Sequence, residues 1–268
     1  MPHCWHACKT AWHSARKQEA KQTCLRAGEF LCKTGTMLIA VVNQKGGVGK
    51  TTLAVHLAVW LHERGNNVAF IDADGQSSSS RWIQSAERGI TLVRETDADA
   101  IIEQAQILRR NHDVVVADGP ANLADSTRTL LLVADFALVP CGVTVPELES
   151  TADTIRILRN AQAVRPPGLP PAIVVLGRLR DDRFSLTREA PQATRTFGLP
   201  VCRHVLRLRE ALADAPGQRT VAWRMGYRAK AAATEMQNVI MEVMRHGQEA
   251  TKHDRYAHSG AAGVSACG

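Results

Sequence analysis

Eight consecutive residues, Lys45-Gly46-Gly47-Val48-Gly49-Lys50-Thr51-Thr52, are of the types that a polyphosphate requires. Glycines let successive backbone N–H groups close round an anion, a lysine neutralises β- and γ-phosphate oxygens, and a hydroxyl ligates Mg²⁺. Gly46, Gly47, Gly49, Lys50 and Thr51 supply these groups, with Val48 inside the turn. The usual spacing G-x-x-x-x-G-K-[ST] asks for a glycine at position 44. Gln44 stands there instead, and a second lysine, Lys45, follows it. A cation beside a site already served by Lys50 costs repulsion unless it answers another anion, so a role in a neighbouring subunit has to be considered.

Two acidic elements follow in order. In Phe70-Ile71-Asp72-Ala73-Asp74-Gly75-Gln76-Ser77, the two aspartates end an apolar strand and lie two residues apart. They share one side if the strand continues through them. Asp74 also reads as an N-cap for the helical segment after it. In Asp113-Val114-Val115-Val116-Ala117-Asp118-Gly119-Pro120, four apolar residues end in a carboxylate that can hold a Mg²⁺-bound water. Strands ending in an acid are common, and the pattern gains its force from standing third in register. Gly119 leaves the backbone of 119–122 free to reorient, as a switch that senses a terminal phosphate must.

These residues need strand ends to stand on, and the periodicity provides them. From Met37 the chain alternates apolar strands, expected at 38–43, 67–72, 90–94, 113–118, 135–140, 172–178 and 200–205, with helical stretches. Helices are expected at 50–64, 76–88, 98–110, 123–133, 147–163, 184–197 and about 228–246. That alternation predicts an α/β fold, a mostly parallel twisted sheet with helices on both faces, and the phosphate loop after its first strand makes the expected fold one of the P-loop NTPase kind. Right-handed crossovers gather the loops after the strand carboxyl ends on one edge, where a nucleotide sits.

Residues 1–36 show no period and read as a disordered extension ahead of a 37–247 domain. A tail over 248–268, rich in Gly, Ala, Ser and His, is expected to be disordered. His3, Cys4, His6, Cys8 and His13 match no zinc spacing. No apolar segment with a cleavage site marks a targeting peptide, and no run is long enough to span a bilayer. The cysteines make no paired framework within the domain, which suits a reducing cytoplasm.

The net charge of +7 is unevenly spread. Residues 37–177 carry −3, whereas 178–230 carry +7, with twelve Arg and Lys between Arg178 and Lys230. Such a stretch can hold a polyanion such as DNA, or it can be a solvated face paired to Asp181, Asp182, Glu189, Glu210 and Asp214.

The run from Asn43 to Thr52 resembles the deviant Walker A loop of the ParA/MinD class of ATPases, closest to the small ParA partition ATPases. The resemblance extends over roughly Met37 to Gly247. It implies ATP and Mg²⁺ as cofactors, with Lys45 reaching a partner's nucleotide across an ATP-sandwiched homodimer and Thr52 at the α-phosphate. It places Asp72, with Thr51 and Asp118, at the metal, and Asp74 beside the attacking water. Gly75 replaces the family's usual proline and loosens that turn. Gly177 stands where many relatives carry the asparagine of an Asn-Arg pair against adenine, which leaves the base to backbone groups and to the loop at Ala215-Pro216-Gly217. The resemblance further implies non-specific binding to nucleoid DNA in the cytoplasm and a ParB-like centromere-binding adaptor, with no stable membrane association. The alternatives are a MinD-like membrane-cycling ATPase, or another cargo-positioning or metabolic enzyme of this fold. The last helix carries Met236, Val239, Ile240, Val243 and Met244 on one face with only Arg245 as a nearby base, a stripe read as core.

Overall fold

The structure is a computed structural model that describes residues 36–122, 124–166, 168–179, 189, 192 and 194–261. All of these lie in one compact unit, Gly35–Gly268. The cysteine- and histidine-bearing stretch 3–13 falls outside the described residues, and so does most of the helix expected at 184–197.

Six strands form one parallel sheet: β1 (Met37–Val41), β2 (Val68–Asp72), β3 (Thr91–Arg94), β4 (Val114–Asp118), β5 (Phe136–Cys141) and β6 (Ala172–Leu176). Their spatial order is β3-β2-β4-β1-β5-β6. The connecting helices are α1 (Lys50–His62), α2 (Ser78–Ala86), α3 (Ala98–Asn111), α4 (Ala124–Val133) and α5 (Val145–Val164). Among the described residues a short α6 (Glu210–Asp214) and a long α7 (Lys230–Ala261) follow, with two short 3-10 turns between them.

Every residue of β1, β2, β4, β5 and β6 is buried, which is why these strands read as unbroken apolar runs. Alternate residues serve opposite faces. Leu38, Ala40, Ala69, Ile71, Val115 and Ala117 pack with Ile101 and Leu108 of α3, Leu130 of α4 and Leu158 of α5. Ile39, Val41, Phe70 and Val116 fill the other face, which α1 covers. Helix α1 shows no polar stripe because Leu53–Leu61 is buried throughout, with the sheet on one side and α2 and α7 on the other.

The seventh strand expected at 200–205 does not form. Val201 and Arg207 make single bridges to Val174 and Leu179. Between them the backbone N–H groups of Arg203 and His204 donate to the Glu242 carboxylate at 3.0 and 3.1 Å, which draws the chain off the sheet edge. Helix α7 runs on past Gly247 to Ala261, since Gln248-Glu249-Ala250 and the residues after them contain no proline to stop it.

One buried histidine ties the loop-bearing helix to the chain that covers it. His56 lies between Trp82 and Trp223, with ring centroids 5.5 and 5.4 Å away in edge-on contact. Its Nε2 accepts from the Ala222 N–H at 3.1 Å, so Nδ1 carries the proton and donates to the Thr52 carbonyl at 2.7 Å. Burial pushes its pKa down from 6.5 to about 4. The unfolded chain therefore takes up a proton between pH 6.5 and 4 that the folded chain refuses, and stability falls as pH drops through that window. We expect His56 to account for roughly 3 kcal/mol of that loss. Urea unfolding of the wild type and His56→Gln at pH 7.5 and 4.5 checks this, because the variant's pH dependence should be flatter by that contribution.

Candidate nucleotide site

The spatial order of the strands reverses at β1, which has β4 on one side and β5 on the other. A crevice therefore opens beyond its carboxyl end, and the 45–52 loop fills that position. Gly47 and Gly49 have φ of 77° and 100°, conformations that a side chain would strain. Gly49 then starts α1, its carbonyl accepting from the Leu53 N–H at 2.9 Å. Unsatisfied N–H groups at that helix start favour an anion.

The residues before the glycines are fixed from α5. Asn43 is buried and donates to the Pro140 carbonyl at 2.8 Å and the Thr151 hydroxyl at 2.9 Å. Its Oδ1 accepts from the Lys45 N–H at 2.8 Å. The Gln44 N–H donates to the Thr154 hydroxyl at 3.0 Å, and the Gln44 carbonyl accepts from the Asn122 N–H at 2.9 Å. The 119–122 stretch is thus hydrogen-bonded to the residue next to Lys45. Gly119 is closely packed, and an added Cβ would sit 3.0 Å from the Val41 carbonyl oxygen, so that a larger residue would have to push β1 aside.

The two lysines occupy opposite environments. Lys50 is 6% exposed, and its Nζ donates to the Lys45 carbonyl at 2.9 Å. Burial lowers its pKa, against the opposing pull of Asp118 and Asp74. Lys45 is exposed, and among the described residues no carboxylate pairs with its ammonium group.

Asp72 and Asp118 are partners in strand register, and Val41 pairs Asp118 from the other side. Both carboxylates are buried. Asp72 Oδ2 accepts from the Ser80 N–H at 2.9 Å and from the Ser80 hydroxyl, and Oδ1 accepts from the Asp74 N–H at 3.1 Å. Asp72, not Asp74, therefore serves the first turn of α2. The Asp74 side chain instead accepts from the Gln76 N–H at 3.0 Å, closing its own turn around the exposed Gly75. Asp118 Oδ2 accepts from the Thr51 hydroxyl at 2.8 Å. Its other oxygen, Oδ1, is buried without a hydrogen bond. Burial, reinforced by the neighbouring Asp72, raises the Asp118 pKa to about 7. A buried carboxylate oxygen without a donor, beside a threonine hydroxyl and a second carboxylate, is a hard oxygen set suited to Mg²⁺. The described residues contain no cluster of three or more His, Cys, Asp or Glu side chains of the kind that holds a resident metal alone.

A cavity of about 270 Å³ opens beside the loop. Its lining includes Gly47, Val48, Gly49, Thr52 and Leu53 from the loop and α1, and Leu206, Arg207, Leu208, Arg209, Leu212 and Ala213 from the chain leading into and through α6. Gly177 and Arg178 also line it. Pro216, expected near a base, is exposed and lies outside this lining. Backbone bonds from Leu179 N–H to the Leu206 carbonyl and from Leu208 N–H to the Leu179 carbonyl draw 206–208 to the cavity instead. Cys141 is buried, and burial pushes its thiol up to about 11, which disfavours the reactive thiolate.

Glu147 and Ser80 serve the site from outside its sequence motifs. Glu147 is buried under the loop, and Ser80 holds Asp72. The spacing Thr144-Val145-Pro146-Glu147, a helix-start signature, marks Glu147 in hindsight.

The profile of the CobQ/CobB/MinD/ParA nucleotide-binding domain matches residues 39–221. Over 247 residues the chain is 31% identical to the chromosome-partitioning ATPase Soj of Thermus thermophilus, covering 79% of this chain and 97% of that protein. Over 211 residues it is 28% identical to the maintenance of carboxysome distribution protein A of Halothiobacillus neapolitanus, covering 77% and 95%. The fold is similar to that of Cyanothece McdA in complex with ATP, with a TM-score of 0.64 at 16% identity over 81% of this chain and 96% of that one. It is also similar to MinD of Pyrococcus horikoshii in complex with Mg-ADP, with a TM-score of 0.56 at 19% identity over 75% and 94%. With the loop, the paired strand-end carboxylates and the strand order already placed, the match over 39–221 is decisive: the chain belongs to the CobQ/CobB/MinD/ParA family of nucleotide-binding proteins.

Proposed function

We propose that this protein is a ParA-like partition or positioning ATPase that forms an ATP-sandwiched homodimer, binds DNA without sequence preference and is reset by an adaptor protein. It is an ATPase of this family and uses ATP with Mg²⁺. The observation that carries the two-subunit reading is the division of labour between the lysines. Lys50 is buried and aimed along the loop, whereas Lys45 is exposed beside it.

In this reading the loop N–H groups and Lys50 take the β- and γ-phosphates, and Thr52 takes the α-phosphate. Thr51 and Asp118 would hold Mg²⁺, with Asp72 supporting it, and the ion would neutralise charge on the phosphates. Asp74 orients water; its half-buried side chain accepts from the Gln76 N–H of its own turn and lies close enough to Lys50 to act on its charge. Lys45 adds positive charge to the partner's phosphates.

The DNA face is narrower than the charge run implied. Arg203 pairs with Glu242, Arg207 and Arg209 pair with Glu235, and Arg224 pairs with Glu63 and Glu87. Arg219, Arg228 and Lys230 are exposed on one short stretch with Tyr227, which is 87% exposed. These are the side chains we assign to phosphates. Fluorescence anisotropy with a DNA duplex, ATP and Mg²⁺ over a salt series tests this. Arg228→Ala with Lys230→Ala should weaken binding to all sequences alike and flatten the log–log salt slope by about 2. An unchanged slope would remove this face from the reading. ATP turnover that ignores both DNA and an adaptor would count against partition as a whole.

The membrane-cycling alternative needs an apolar helix face free to enter the lipid interface. Met236, Val239, Ile240, Val243 and Met244 are fully buried, so the apolar stripe of α7 is occupied by the core. Among the described residues no helix is long and apolar enough to cross a membrane. The likeness to a carboxysome-distribution protein keeps a cargo other than a replicon open, and stimulation of ATP turnover by candidate adaptors separates the two.

A further inference from the structure

We infer that Arg178 is a positioning residue for the nucleotide, holding the outward-turned carbonyl of Gly47 so that the loop's N–H groups stay converged before any ligand arrives. A loop that aims N–H groups inward must turn carbonyls outward, and each of those needs a donor. Arg178 Nη1 donates to the Gly47 carbonyl at 2.9 Å. The same nitrogen lies 3.4 Å from Glu147 Oε1, so its two hydrogens serve one acceptor each.

The clamp is built at both ends. Glu147 Oε2 accepts from the Thr144 N–H at 3.0 Å and from the Thr144 hydroxyl at 2.7 Å, which leaves Oε1 for the arginine. A side chain at Gly142 would overlap the Glu147 carboxylate, so the acid rests on a glycine shelf. At the other end Arg178 has φ of 58°, which is uncommon for a residue with a long side chain and occurs where surrounding structure over-determines it. Gly177 N–H bonds the Cys141 carbonyl and Leu179 N–H bonds the Leu206 carbonyl, so the chain is fixed on either side and turns at Arg178. Through Thr151 and Thr154, helix α5 already holds Asn43 and Gln44. With Glu147 and Arg178 it holds Gly47 as well, and the loop is braced at both flanks by one helix.

This inference rests on reading the loop as the nucleotide site. A clamp on the loop backbone acts on every bound state alike, so its loss should raise Kd and KM without lowering kcat. We expect Arg178→Ala to weaken both ATP and ADP by about tenfold in calorimetric titrations of the full chain with Mg²⁺, a typical value for one charge-assisted hydrogen bond. The kcat at saturation should stay within about twofold, and the nucleotide-free Tm should fall by no more than about 5 °C, because the guanidinium is half exposed although Glu147 Oε1 behind it loses its donor. Arg178→Lys should recover part of the affinity. Glu147→Gln should lose less than Arg178→Ala, and the double variant no more than Arg178→Ala alone. Wild-type affinity retained in Arg178→Ala, or a loss confined to kcat, would overturn the inference while leaving the nucleotide site standing. Failure of the wild type itself to bind either nucleotide would overturn the site and the clamp together.

Discussion

Lys50→Ala is expected to lower affinity for ATP with Mg²⁺ by about a thousandfold while leaving the chain folded. Removing one partner of a buried, hydrogen-bonded charge pair costs about 4 kcal/mol, most of it from the anion left without its cation. Lys50 is buried and its Nζ is held at the Lys45 carbonyl, so it waits at the loop rather than arriving from solvent. The same burial disfavours its charge in the empty protein, as the lowered pKa indicates. Deleting the ammonium group therefore removes a desolvated ion, and the nucleotide-free Tm should hold or rise. Calorimetric titration alongside thermal unfolding separates these effects. A variant that still binds ATP at wild-type strength would show that the loop does not use Lys50 for phosphate.

Lys45→Ala should separate binding from assembly. The backbone of Lys45 is tied at both ends, its N–H to Asn43 Oδ1 and its carbonyl to Lys50 Nζ, while its side chain is exposed. Truncation leaves the loop in place, so affinity for ATP should stay within about threefold, the scale of a lost surface charge interaction. What should vanish is the doubling of mass with ATP and Mg²⁺ in light scattering. An exposed ammonium adds little to its own subunit, but when two faces close over nucleotide the same group is desolvated against phosphate and its attraction grows steeply. A Lys45→Ala chain that still dimerises with ATP would end the two-subunit role. Paired with Lys50→Ala, the two variants tell whether the lysines act in one nucleotide site or across two.

Much of this was legible before any fold was drawn, because glycine spacing and strand-end acids report local geometry directly. The 45–52 loop, Asp72 and Asp118 could be named from residue types alone, and β1, β2, β4, β5 and β6 from the near-continuous apolar runs of a sheet covered on both faces, whereas β3, a partly exposed edge strand, has no such run. The seventh strand was not, since 200–205 has the right composition but loses its ladder to Glu242, a residue about forty positions later. The basic stretch left two readings open, a polyanion site or an ion-paired face, because composition counts charges without their partners: Glu235, Glu242, Glu63 and Glu87, which pair four of its arginines, lie outside residues 178–230.

Sequence by itself determined the chemistry at hand: a phosphate loop with two lysines, carboxylates at the ends of two strands, and a parallel α/β frame to hold them. These are statements about residues a few positions apart, where backbone geometry follows from residue type. Tertiary structure alone decided which of the two lysines is buried and which carboxylate keeps an oxygen without a donor. It also decided that Arg178 closes on Gly47, 131 residues away, with Glu147 behind it. Those outcomes depend on which distant backbone and side-chain groups are brought into hydrogen-bonding range, and no local pattern records that.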